Sequence, residues 1–289
     1  MNARKVYSPA FLVPMLILYT ALFIVPTLVG FGYSFTNWNS MSDVVKWVGL
    51  KNYREIFSPG SNYAQSLITT FWFTLSTVIF KGALGLALAL MLHENIKSKD
   101  ALRGVFFLPN TLSPLIIGIL FASILAPKGV FNDFLRFIGL GWLAKGWLTR
   151  PDTALGAVVS VECWRMIGWN MVMLLAGLQS IPKDYFEASS IDGASWWGQF
   201  RHITLPCLAP SLTIVTVLNT IHGIKSFDIV FALTGGGPGA VTEVINVLVF
   251  REFSMGRYGM STALGIVLFA VTAVIALFIK RTMSGGEEA

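Results

Sequence analysis

Three ionisable residues, Lys81, Glu162 and Arg165, interrupt runs that are otherwise apolar. A charge in hydrocarbon is costly, so each implies a partner, a cavity or an internal path. Glu162 and Arg165 stand three apart and would share one face of a helix, with Trp169 a turn further along it. Two kinds of chemistry are open to them: a structural ion pair or, together with Lys81, an ion relay. A second polar stripe follows at Thr216, Asn219, His222 and Ser226, spaced by three and four. Amides and hydroxyls facing inward beside an aromatic side chain could hydrogen-bond and stack on a sugar. The same groups could equally join one helix to another.

Covalent chemistry has little foothold. His93, His202 and His222 lie on different segments, and H-E-x-x-H, C-x-x-C and G-x-S-x-G are all absent. Ser226 and His222, one turn apart, make a poor nucleophile and base. Cys163 and Cys207 sit in or beside apolar runs without metal-ligand spacing and read as packed small hydrophobes. The glycine run LTGGGPGAVTE lacks the Gly-Lys-Ser/Thr ending of a phosphate loop, and Pro238 removes a backbone N–H that such a cradle would use. It reads as an external turn-rich loop. No metal, cofactor or nucleotide site is expected in this chain.

The elements that must position these residues are membrane helices. Of 289 residues, 54% are hydrophobic and only 12% charged, where soluble chains carry about a quarter of their residues as charges. Mean hydropathy is +0.67. Six apolar runs predict spans over 10–35, 68–92, 105–125, 154–178, 207–224 and 262–279, within one transmembrane domain covering 1–289. The run 229–233 is too short to cross. Gly82, Gly85 and Ala89 in the second span predict close helix approach. The net charge of +6 is scattered over membrane-flanking loops, which points to anionic lipid headgroups and not to nucleic acid. The basic N-terminus precedes a run too long for a cleaved signal and is expected to be retained. An even number of spans puts both termini on one side, and the density of Lys and Arg favours the cytoplasm.

One segment breaks the apolar pattern: EASSIDGASWWGQFRHITLP, from Glu187 to Pro206. Pro182, Asp184 and Glu187 suit the start of a short helix, and Gly193 suits its end. A second short helix is expected over 194–202 before Leu205-Pro206 redirects the chain. Tyr185, Phe186, Trp196, Trp197 and Phe200 are too many aromatics for a merely solvated loop. They suit either a headgroup-bound helix or a dock for a cytoplasmic protein.

The order Glu187-Ala188-Ser189, Asp192-Gly193-Ala194, Phe200, Leu205-Pro206 and Pro210 resembles the EAA loop of binding-protein-dependent ABC importer permeases, with Ser189 where alanine is usual. The stretches PAFLVPMLILYTALFIVPTLVGFGYSF, GLKNYREIF, FLPNTLSP and LTGGGPG look like the sugar-permease branch of that family, which includes maltose and glycerol-3-phosphate permeases. The resemblance implies an all-α type I bundle of six transmembrane helices with a cytoplasmic coupling helix in the loop over 180–206. It implies a heterodimer with a second permease, two ATP-binding subunits that hold ATP and magnesium, and an external sugar-binding protein, in a bacterial-type inner membrane. It assigns ATPase coupling to Tyr185, Phe186, Glu187, Ala188, Ser189, Asp192, Gly193 and Ala194. It places the substrate path on the spans on either side, at Trp169, Asn170, Asn219, His222 and Ser226, to which Glu162 and Arg165 are added for their charge within an apolar span. The expected cargo is a neutral sugar or oligosaccharide, because Lys81 and Arg165 offer little positive charge for a phosphate ester. A glycerol-phosphate permease and a stand-alone transporter or channel are the alternatives.

Overall fold

The computed structural model describes residues 9–93 and 98–284. The basic start at 1–8, most of the polar loop after His93 and the last five residues lie outside the described residues, so the sidedness of the termini is not addressed by it. The described residues are helical with turns and two isolated β-bridges.

Among the described residues, five helices are long and apolar enough to cross a membrane: α1 (Val13–Tyr33), α3 (Asn62–His93), α7 (Pro151–Gln179), α9 (Trp196–Ile224) and α12, whose apolar part is Tyr258–Ile279. Between them lie α2 (Lys51–Ile56), α4 (Lys99–Thr111), α5 (Pro114–Ile124), α6 (Val130–Phe137), α8 (Lys183–Ile191), α10 (Asp228–Thr234) and α11 (Ile245–Ser254). A sixth crossing is reached if the pair α4 and α5, bent by 94°, is taken as one span. The continuous third span expected over 105–125 is therefore corrected to a broken one. Leu112 and Ser113 are extended, with ψ of 149° and 129°. Pro114 forces this: a proline disfavours helical geometry in the residue before it and suits the first turn of the helix it opens.

Two prolines have the opposite outcome. Pro26 and Pro206 sit inside continuous helices, each just after a π turn, at Thr20–Ile24 and Phe200–Thr204. Each π turn closes with an i to i−5 bond, Val25 N–H to the Thr20 carbonyl and Leu205 N–H to the Phe200 carbonyl. A wider turn shifts the carbonyl that a proline ring would crowd and absorbs its missing N–H. The expectation that Leu205-Pro206 redirects the chain is thus not met. The residues expected as a separate short helix are instead the first turns of α9.

The chain divides into two compact units. In the unit formed by residues 1–61 and 248–267, α1 has none of its residues buried. The chain after it is pinned by Asn52, whose Nδ2 donates to the carbonyls of Ser34 and Thr36 at 2.8 and 2.9 Å. Tyr53 supports the same corner through a 2.7 Å hydroxyl contact with Ser34.

In the other unit, α3, α7 and α9 pack together around two apolar clusters. One gathers Phe73, Ile117, Val158, Val161, Ile229 and Val247. The second gathers Ala89, Leu92, Leu174, Leu178, Leu208 and Val215. Close approach is set by glycine: a Cβ at Gly85 would lie 2.5 Å from Asn170 Cβ, and one at Gly223 would lie 2.9 Å from Thr74 Cγ2. Gly85 and Ala89 serve the expected close packing. Gly82 does not, since a Cβ there meets nothing within 4 Å.

Candidate functional site

Along α7, residues of the first apolar cluster end near Cys163 and those of the second begin at Met171. Between them lie Glu162, Arg165 and Asn170, 1%, 5% and 0% exposed. The same interval on α3 holds Thr74, Thr77 and Lys81, and on α9 it holds Asn219 and His222. Three helices therefore bring a polar layer to one depth, with apolar packing on both sides. This placement raises the energy of any unpaired charge, because the surroundings have low dielectric.

The layer is organised by Glu162. Arg165 donates to it from Nε and Nη2 at 3.0 and 3.1 Å. Lys81 Nζ, fully buried, stands 3.5 Å from Glu162 Oε1 and makes no hydrogen bond among the described residues. His222 Nδ1 lies 3.6 Å from the same oxygen, with 46% of its side chain exposed. One carboxylate thus faces a guanidinium, a lysine and an imidazole from three helices. An ion pair is one of the two readings open from the sequence, and it is the arrangement found. Lys81, 81 residues before Glu162 along the chain, is a member that helix periodicity could not link to it.

A second knot joins α7 to α9. Asn170 and Asn219 exchange side-chain amide hydrogen bonds, and Asn170 Nδ2 also donates to the Met166 carbonyl at 2.9 Å. Both amides are spent on the protein in this state. Two expected members of the path stand apart from the layer. Trp169 is half-buried against the second apolar cluster, and Ser226 is buried at the end of α9 with its N–H on the Gly223 carbonyl.

The polar segment builds a different kind of site. Pro182 caps α8 in extended geometry, and the helix ends in a Schellman motif. Ala194 N–H bonds the Ser189 carbonyl at 2.9 Å and Gly193 N–H bonds the Ser190 carbonyl at 3.2 Å. Gly193 has φ +76°, the left-handed conformation this motif requires and that glycine adopts without penalty. Ser195 then starts α9, its Oγ accepting from Gly198 N–H at 3.3 Å.

The turn is locked by Gln199, a residue that the sequence pattern did not single out. Its Nε2 donates to the Oγ of Ser189 and of Ser190 at 3.0 and 2.9 Å. A lone amide inside the run Trp196–Phe200 was the available signal. The backbone lock leaves side chains free to face outward. Tyr185, Ile191, Trp196 and Trp197 are 53–87% exposed, and Glu187, Ala188, Asp192, Gly193 and Ala194 are exposed as well. Phe186 and Ser189 turn inward instead, Phe186 against the second apolar cluster and Ser189 onto Gln199. The ring planes of Trp196 and Phe200 stack at 5.6 Å.

Residues 81–282 match the family described as "Binding-protein-dependent transport system inner membrane component". The chain is 33% identical over 268 residues to a probable starch degradation products transport system permease protein, AmyD, of Thermoanaerobacterium thermosulfurigenes, covering 92% of this chain and 90% of the relative. It is 34% identical over 262 residues to the trehalose/maltose transport system permease protein MalF of Thermococcus litoralis, covering 90% and 88%. Its structure resembles, with a TM-score of 0.82 and 26% identity, a chain from the crystal structure of a bacterial ABC transporter involved in the import of the acidic polysaccharide alginate, covering 95% of this chain and 94% of that one.

Proposed function

From the premise that this chain belongs to the family of binding-protein-dependent transport system inner membrane components, we propose that it carries a carbohydrate through the polar layer at Glu162, Arg165, Asn170, Asn219 and His222. It is a transmembrane permease subunit of an ABC importer, with six membrane crossings, and not an enzyme. Relatives named for starch degradation products and for trehalose and maltose support a saccharide as cargo.

One observation carries the mechanism: α8 is the connection between α7 and α9, and those two helices hold most of the polar layer. A push on α8 therefore acts on both walls of the layer at once. We assign the coupling role to α8 and its cap, with Tyr185, Glu187, Ala188, Asp192, Gly193 and Ala194 against a cytoplasmic ATP-binding subunit, and Phe186 and Ser189 anchoring them from behind. ATP and magnesium would sit in two such subunits. Closure of that pair would rock α7 against α9, part the Asn170–Asn219 amides and offer them to sugar hydroxyls. The unburied face of α1 supports a second permease as partner. An external binding protein would deliver the cargo, and both termini would lie in the cytoplasm. Trp169 and Ser226 belong to the path in the open state, when α7 and α9 have separated.

The test is uptake into proteoliposomes holding this chain, a second permease and the ATPase, with binding protein outside and ATP inside. ATP-dependent saccharide uptake is expected, and Gly193→Val should abolish it while the complex remains assembled. Uptake by this chain alone, without ATPase or binding protein, would overturn the reading in favour of a stand-alone transporter.

A further inference from the structure

The charge balance of the buried layer is uneven. Lys81 and Arg165 are both enclosed, and among the described residues Glu162 is the single carboxylate in ion-pair contact with either. Lys225 and Asp228, exposed just beyond the layer, carry opposite charges and offset one another. With both basic groups protonated, one positive charge is left over in a region flanked by apolar packing, where an uncompensated charge is expensive.

The geometry also fixes which cation is free to act. Lys81 has no exposed surface and reaches only Glu162. It can hold that carboxylate from behind and can touch nothing in a path. Arg165 spends Nε and Nη2 on Glu162, while its Nη1 takes no hydrogen bond among the described residues. Beside this group stands half-exposed His222, the member of the layer that opens it to the outside of the chain. A planar carboxylate fits an arginine nitrogen edge, and guanidinium is the side chain suited to receive it.

We propose that the cargo is an acidic saccharide, a sugar or oligosaccharide bearing carboxylates, one of which is received by Arg165 Nη1 beside His222 while Lys81 keeps Glu162 in place. The proposal rests on the importer reading above and departs from the neutral sugar expected from the sequence. A carboxylate's single negative charge matches the excess. A phosphate monoester, with about −1.5 to −2 at neutral pH, exceeds it.

The experiment uses the full importer in proteoliposomes and compares three cargo sets: oligouronates from pectate and alginate, neutral malto- and cello-oligosaccharides, and glycerol 3-phosphate. ATP-dependent uptake of oligouronates is expected. Lys81→Met removes the excess charge yet substitutes an apolar side chain of similar length, so assembly checked by size-exclusion chromatography should persist. Oligouronate uptake should then fall about 10- to 100-fold, because an arriving carboxylate would be an uncompensated charge in the buried layer. Arg165→Gln should give the same loss and Arg165→Lys a partial recovery. ATP-dependent uptake of the neutral set or of glycerol 3-phosphate without the oligouronates would overturn the acidic cargo and leave the importer standing. Oligouronate uptake unchanged in assembled Lys81→Met would overturn the role of the excess charge. ATP-dependent uptake of none of the three would count against both.

Discussion

The polar layer and the turn between α8 and α9 use opposite means to hold polar residues in place. In the layer, side chains bind side chains across three helices, and every partner but half-exposed His222 is buried. In the turn, backbone caps and Gln199 fix the chain, and most side chains of the segment are left facing outward. A buried pair is worth little against an apolar substitute, but losing one member strands the other. A backbone cap leaves no charge behind when its side chain is changed. Substitutions in the layer should therefore act first on stability, and those in the turn first on coupling.

The sharpest way to break this comparison is Glu162→Ala. It strands Lys81 and Arg165 in a low-dielectric region and should cost about 3–5 kcal/mol. The measurement is reversible unfolding in detergent, with Lys81→Met/Glu162→Ala as the second arm. Recovery of part of the loss in the double variant is expected. A single variant as stable as the parent would mean that the layer is not enclosed as described.

Next in size is Gly85→Val. The added atoms must enter space held by Asn170, whose Cβ lies 2.5 Å from where the new Cβ would be. A rigid interface penalises such overpacking by about 1–3 kcal/mol. The shift would also part Asn170 from Asn219, so both melting temperature and transport should fall. Gly82→Val, three residues earlier but meeting nothing, should leave both nearly unchanged. Equal effects at the two glycines would remove the basis for placing the contact at Gly85.

That pair of glycines also shows what could be read along the chain and what could not. The apolar runs and the helix ending at Gly193 were legible, because hydropathy and backbone preference are local. So was the Glu162–Arg165 pair, since three residues along a helix is a fixed geometry. Lys81 meeting Glu162 was not, nor Thr70 Oγ1 accepting from Ile245 N–H at 2.8 Å across 175 positions. Such contacts depend on which helix faces which, and a uniformly apolar span carries no stripe that records its orientation. The break at Leu112 and Ser113 was hidden for another reason. Hydropathy sums across FLPNTLSP without registering that Pro114 reshapes the residue before it. At Pro206 the same rule misled, since a π turn accommodates the ring.

Gly193→Val moves the comparison to the turn. At φ +76° a side chain costs about 1–2 kcal/mol, more when β-branched, and this acts on the cap of α8 alone. The unfolding midpoint of the membrane bundle should change little, whereas ATP hydrolysis should proceed without uptake. Loss of hydrolysis and of the folded bundle together would place Gly193 in the core of the fold instead.

Gln199→Ala should have the smallest effect, and it separates two ideas of how the turn works. Its amide ties the first turn of α9 to Ser189 and Ser190 at the end of α8. These bonds are partly exposed, so their loss should cost only about 0.5–1.5 kcal/mol. If the turn transmits motion as a rigid corner, even this small loosening should lower the uptake achieved per ATP hydrolysed while hydrolysis itself continues. If α8 acts on α7 alone, through the contact of Phe186 with the second apolar cluster, the ratio should stay at the parent value. Measuring uptake and hydrolysis on the same proteoliposomes decides between a corner that moves α7 and α9 together and a lever that moves only one of them.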